Sequence, residues 1–121
     1  MAASSKENDY YHILCSGLKT HESQLTSYAY NFSAWEMLSY DRAESIDIID
    51  GYLSDNLDLV VIQLGENVND LDSFEDDFEY LIKYISLKAP KAKIIIGNFW
   101  SKSKTDDLKN NIAKKMWCWI Y

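Results

Sequence analysis

Positive charge is what this chain most lacks. Its 121 residues include a single arginine, Arg42, and twelve basic side chains stand against nineteen acidic ones, a net charge of −7. The resulting field repels phosphate backbones and anionic headgroups, which argues against nucleic-acid and membrane-surface partners. Cysteine is nearly as scarce. Cys15 and Cys118 form no CxxC pair and are too few for a disulfide framework, so a reducing compartment is the default, with one long-range disulfide left open. No apolar run approaches the roughly 20 residues that span a bilayer; the longest are Leu59–Leu64, interrupted by Gln63, and Ile94–Ile96. The opening Met1-Ala2-Ala3-Ser4-Ser5-Lys6-Glu7 lacks the charged and apolar regions of a signal peptide, so the expected location is cytoplasmic by default. The four glycines, at 17, 51, 65 and 97, spell neither GxGxxG nor a P-loop, and no nucleotide or other cofactor is expected.

What the chain does have is the composition of an ordered globular domain: 47% apolar residues, nine tyrosines, four tryptophans and one proline. The length suits one core, and no linker or repeat divides it, so a single domain over 1–121 is expected. Tyr10, Ile13, Leu14 and Leu18 recur at helical spacing behind Ser4-Ser5 and predict a capped helix over 6–19. Loose alternation among tyrosines predicts a strand over 26–32, and Ile46, Ile49 and Leu53 predict a helix over 41–53. Residues 58–64 form a nearly continuous apolar run, the pattern of a strand buried on both faces in a parallel sheet. Asp72 and Glu75 read as a capping box for a helix whose stripe is Phe74, Phe78, Leu81, Ile82 and Ile85, limited by Pro90. A second buried strand follows over 93–99, then a helix over 104–116 with Leu108, Ile112 and Met116 on one face, and Trp117–Tyr121 begins one more strand. Strand, helix and strand in this order predict a parallel crossover and an α/β class.

In open parallel sheets ligands bind beyond the carboxyl ends of the strands, and the strand over 58–64 delivers Gly65-Glu66-Asn67-Val68 to that edge. Gly65 permits a sharp exit, and the Asn67 carboxamide offers two uncharged N–H donors to a bound oxyanion. A glycine ending a strand before turn-forming asparagines also has a plain structural reading.

Gly65-Glu66-Asn67 resembles the Gly-x-Asn-Asp block of the SGNH (GDSL) hydrolases, with Val68 in the fourth place. The order of elements around it is similar too, over about residues 26–113. The resemblance implies a three-layer α/β/α fold with a parallel, flavodoxin-like sheet, and an ester hydrolase acting on a small acylated substrate such as an acylated carbohydrate. It assigns Asn67 as the side-chain donor of an oxyanion hole, Gly65 as its turn residue, and the backbone N–H of Ser33 or Ala34 as a second donor. It also shows what is missing. No Gly-Asp-Ser nucleophile block precedes the first helix, and no Asp-x-x-His follows the last strand. Asp9-Tyr10-Tyr11-His12 has the right spelling but lies at the wrong end. The expectation is therefore an incomplete and catalytically inactive chain; the alternative is a non-catalytic α/β module that binds a partner chain, or itself, through a sheet edge.

The implied flavodoxin-like order places the family's first strand between its second and third. Without it, backbone groups inside the sheet would be unpaired, at about 1–3 kcal/mol each if buried. Either the strands over 26–32 and 58–64 close up on each other, or another chain, such as a second copy, fills the gap. Other constellations are weaker. His12, Cys15, His21 and Cys118 are zinc-competent but fit no standard spacing, Glu66, Asn69, Asp70 and Asp72 lack the EF-hand pattern, and no metal is expected. Trp100, Trp117 and Trp119 suit either a sugar-binding cleft or ordinary packing.

Overall fold

The computed structural model describes residues 5–38, 41–98 and 102–120. The chain forms two compact units, Met1–Asn31 and Phe32–Tyr121.

In the first unit a short 3-10 turn, Lys6–Asn8, leads into helix α1, Tyr10–Lys19. The helix expected from residue 6 starts later because Asp9 is the cap: its carboxylate accepts the His12 N–H at 2.9 Å. That carboxylate also lies 2.8 Å from His12 Nδ1, and its pKa is lowered chiefly by the His12 N–H and then by the ring. The segment beyond α1 folds back on it, with the Tyr11 hydroxyl 2.9 Å from Ser27 Oγ and the Cys15 thiol donating to the same oxygen. No strand forms over 26–32, where Tyr28 and Tyr30 stay exposed. Tyrosine alternation gives strand propensity, but propensity without a ladder partner does not make a strand. The strand expected to close up on 58–64 is therefore not formed.

The second unit holds a three-stranded parallel sheet in the order β1-β2-β3, with β1 at Leu59–Ile62, β2 at Lys93–Ile96 and β3 at Trp119–Ile120. Val60 pairs with Ile94 and Ile62 with Ile96, and Ile96 pairs in turn with Ile120. Among the described residues the other edges of β1 and β3 are unpaired. The expected strand over 93–99 ends at Ile96; Phe99, Trp100 and Tyr121 lie outside the described residues. Helices connect the strands as expected for parallel crossovers: α3, Phe74–Lys88, and α4, Asp106–Lys115. The fold is thus mixed α/β.

The core gathers the stripe read from the sequence, Phe74, Phe78, Leu81, Ile82 and Ile85, with Ile62, Ile94, Ile96 and Ile112, and adds Trp35, Ile46 and Ile49. Two local expectations change. Residues 41–53 give a 3-10 helix, Ile46–Tyr52, preceded by a short α2 at Ser33–Met37. Ile46 and Ile49 are buried, and their three-residue spacing matches the tighter turn. The Asp72–Glu75 capping box does not form: Ser73 is the N-cap, and the Asp72 N–H is taken by Asp70 Oδ1 at 3.0 Å. Glu75, Asp76 and Asp77 still place negative charge in the first turn of α3.

Helix α4 ends in a Schellman-type turn, in which the Cys118 N–H reaches the Ala113 carbonyl at 2.9 Å. The left-handed position of that turn, which favours glycine, is filled by Trp117 at φ 56°, 93% exposed.

Candidate functional site

The carboxyl ends of β1 and β2 meet the loops entering α3 and α4. Gly65 leaves β1 at φ +117°, a conformation L residues rarely adopt. A Cβ there would lie 2.4 Å from Thr105 Oγ1 and 3.2 Å from Thr105 Cβ. The glycine is thus required twice, by backbone angle and by the close approach of the residue that caps α4. Thr105 Oγ1 and Ser103 Oγ both donate to the Gly65 carbonyl, at 3.1 and 3.3 Å.

The donors of the turn converge on one acceptor, and it belongs to the chain itself. The Gly65 N–H donates to Glu36 Oε1 at 2.5 Å, while the Asn67 N–H and the Asn67 carboxamide both donate to Glu36 Oε2, at 3.0 and 2.7 Å. Glu36 is 2% exposed. A carboxylate removed from water needs such a set of donors, and each charge-assisted bond is shorter and stronger than a neutral one.

Glu36 is delivered by α2, and α2 is fixed by Arg42. The guanidinium, 1% exposed, donates to the Trp35 and Glu36 carbonyls at 3.2 and 2.9 Å, and to Ser73 Oγ and Asp77 Oδ2 at 2.9 and 3.0 Å. It lies 5.6 Å from the ring centroids of Trp35 and of Phe74. The Trp35 indole N–H returns a bond to the Arg42 carbonyl at 2.9 Å. A planar fork with several donors suits this junction where a lysine would not.

A second buried charge pair lies beside the end of β2. Lys109 Nζ donates to the Gly97 carbonyl at 3.2 Å and sits 3.3 Å from Asp106 Oδ1. Asp106 Oδ2 accepts the Ser103 N–H at 2.8 Å. The 3.3 Å approach is an ion pair without hydrogen-bond geometry, and among the described residues Asp106 Oδ1 and Asn98 Oδ1 are buried without a hydrogen-bond partner. A cleft of about 290 Å³ opens between Gly65, Glu66 and Val68 on one side and Lys102–Thr105 on the other.

Of the residues singled out in the sequence, Gly65 and Asn67 stand together at the carboxyl edge. Asn67 does not line the cleft; its amide is engaged by Glu36. Ser33 and Ala34 open α2, and the side chain that α2 brings to the turn is Glu36. Both histidines, His12 and His21, belong to the Met1–Asn31 unit, so the Phe32–Tyr121 unit contains no imidazole to activate a hydroxyl. Among the described residues no group of three or more His, Cys, Asp or Glu is arranged to hold a metal ion, and both cysteines are free thiols. No helix among them is long and apolar enough to cross a membrane.

Sequence reasoning missed Glu36, Arg42, Asp106 and Lys109. The signals were faint but present. Arg42 is the one guanidinium in a chain otherwise supplied with lysine, and Lys109 interrupts the apolar face of α4 three residues after Asp106, beside Ile112 and Ala113. No protein-family model matches the chain, and no curated protein or solved structure is significantly similar to it.

Proposed function

We propose that this chain is a non-catalytic α/β module of SGNH-hydrolase-like, flavodoxin-type three-layer design that associates with a second copy of itself through its open sheet edge. The observation that carries the non-catalytic part is the engagement of the Gly65 N–H, the Asn67 N–H and the Asn67 carboxamide by the buried Glu36 carboxylate. A tetrahedral oxyanion would need those same N–H groups, and the negative charge already there disfavours a second one. The hydrolase-like part draws on the Gly65-x-Asn67 turn at the carboxyl end of a parallel strand, with a positive φ at the glycine.

Self-association is favoured by the edge itself. Strand β3 has one edge unpaired among the described residues, and it exposes Trp119 and Ile120 next to Trp117 without an intervening charge or proline. Such an edge is a template for pairing. The test has two arms. Hydrolysis of p-nitrophenyl acetate should stay at background and be indifferent to Asn67→Ala; turnover above background that Asn67→Ala abolishes would overturn the non-catalytic reading. Sedimentation velocity over a hundredfold range of concentration should show a dimer or larger species that Trp119→Lys dissolves. Salt should strengthen it, because each copy carries a net charge of −7. A monomer at every concentration and salt would refute self-association.

A further inference from the structure

The three N–H groups that hold Glu36 form a site in their own right. Gly65 is locked at φ +117° by the approach of Thr105, and its carbonyl is held by the Ser103 and Thr105 hydroxyls. The turn is therefore shaped by contacts on its far side, independent of the carboxylate it binds. Glu36 in turn is anchored through its main chain by Arg42, so its backbone stays in place when its side chain is shortened. Shortening it to alanine deletes Cγ and the carboxylate, and nothing else.

We propose that the Gly65–Asn67 turn is a carboxylate-binding site whose resident ligand is the Glu36 side chain, and that it takes small free monocarboxylates, acetate above all, when that side chain is cut back. The methyl and carboxylate of acetate correspond atom for atom to the deleted Cγ and carboxylate. Its two oxygens then accept the Gly65 N–H on one side and the two Asn67 donors on the other. The remaining space decides selectivity. Formate leaves a methyl-sized void, trimethylacetate does not fit between α2 and the turn, and chloride answers the charge but cannot satisfy divergent donors with two oxygens. The proposal shares the turn geometry with the functional reading above but is independent of self-association and of hydrolysis, so the two can fail separately.

The experiment is acetate titration of Glu36→Ala, followed by amide resonances of Gly65 and Asn67 and by thermal melting, at constant ionic strength set with chloride. The expected result is saturable shifts at both backbone amides and at the Asn67 side-chain amide, with a dissociation constant of about 1–100 mM for so small a ligand. The melting temperature should rise in parallel, formate should bind more weakly, and trimethylacetate should do nothing. The wild-type protein, its site filled, should show no such shifts. Absence of saturable shifts in Glu36→Ala, or equal shifts in the wild type, would overturn the proposal, as would a variant that stays unfolded in acetate as it does in chloride. Glu36→Gln supplies a second measurement, since it keeps the volume but only one acceptor oxygen. Hydrogen exchange at Gly65 or Asn67 should accelerate at least tenfold; unchanged exchange at both would show that the carboxylate is not what the turn binds.

Discussion

Replacing Gly65 by alanine tests the most constrained point of the site. At φ +117° a Cβ costs about 1–2 kcal/mol in backbone strain. The added methyl would meet Thr105 Oγ1 at 2.4 Å, and overpacking of this kind costs roughly 1–3 kcal/mol. Thr105 can turn its hydroxyl away only by giving up its bond to the Gly65 carbonyl, about 1 kcal/mol more. Together these give a loss of roughly 3–6 kcal/mol, a large part of the 5–15 kcal/mol that holds a typical domain together. With a urea dependence of about 2 kcal/mol per molar, the unfolding midpoint should fall by roughly 1.5–3 M. Thr105→Ala removes Oγ1 but leaves the Cβ at 3.2 Å, so in that background Gly65→Ala should cost about 1–2 kcal/mol less. A Gly65→Ala protein within about 0.5 kcal/mol of wild type, or strict additivity of the two changes, would refute the account of this turn.

Three further outcomes are expected. Lys109→Met should cost about 3–5 kcal/mol by urea unfolding, because it strands the buried Asp106 carboxylate, and Asp106→Asn in the same chain should recover part of the loss. Tyr84→Phe should move the Asp50 carboxyl back up toward its ordinary value of 3.8, since the Tyr84 hydroxyl is the largest cause of its lowering, ahead of Lys88. A carboxylate whose folded pKa is depressed adds stability above the unfolded value and loses it as pH falls through the folded one, so the wild-type advantage over Tyr84→Phe should fade on acidification; a carbon-detected NMR titration of Asp50 reads the shift directly. Trp117→Gly should raise stability by about 1 kcal/mol in thermal unfolding, because it relieves a left-handed residue that is 93% exposed and packs on almost nothing.

The parts of the fold legible in the sequence were those governed by local periodicity. The stripe from Phe74 to Ile85 and the runs of Leu59–Ile62 and Lys93–Ile96 need only their own spacing to declare a helix and two buried strands. Residues 26–32 were misleading because a strand is defined by its partner, which no local pattern contains. Ile46 and Ile49 fit an α-helix as well as a 3-10 turn, since i and i+3 share a face in both. At the site, Gly65 and Asn67 were legible as turn chemistry. Their acceptor was not, because Glu36 lies 31 residues before Asn67 and follows a tryptophan in a five-residue helix too short to show a period. Long-range polar pairing of this kind leaves a trace only in composition, here a lone arginine.

That arginine has a consequence for how the molecule opens. One guanidinium grips the carbonyls around Glu36 and the first turn of α3 at once, so fraying at either place withdraws support from the other. The loop after β1 sits where surface segments usually breathe freely, yet its slow motions should follow those of the core helix, joining it in one cooperative unit of unfolding.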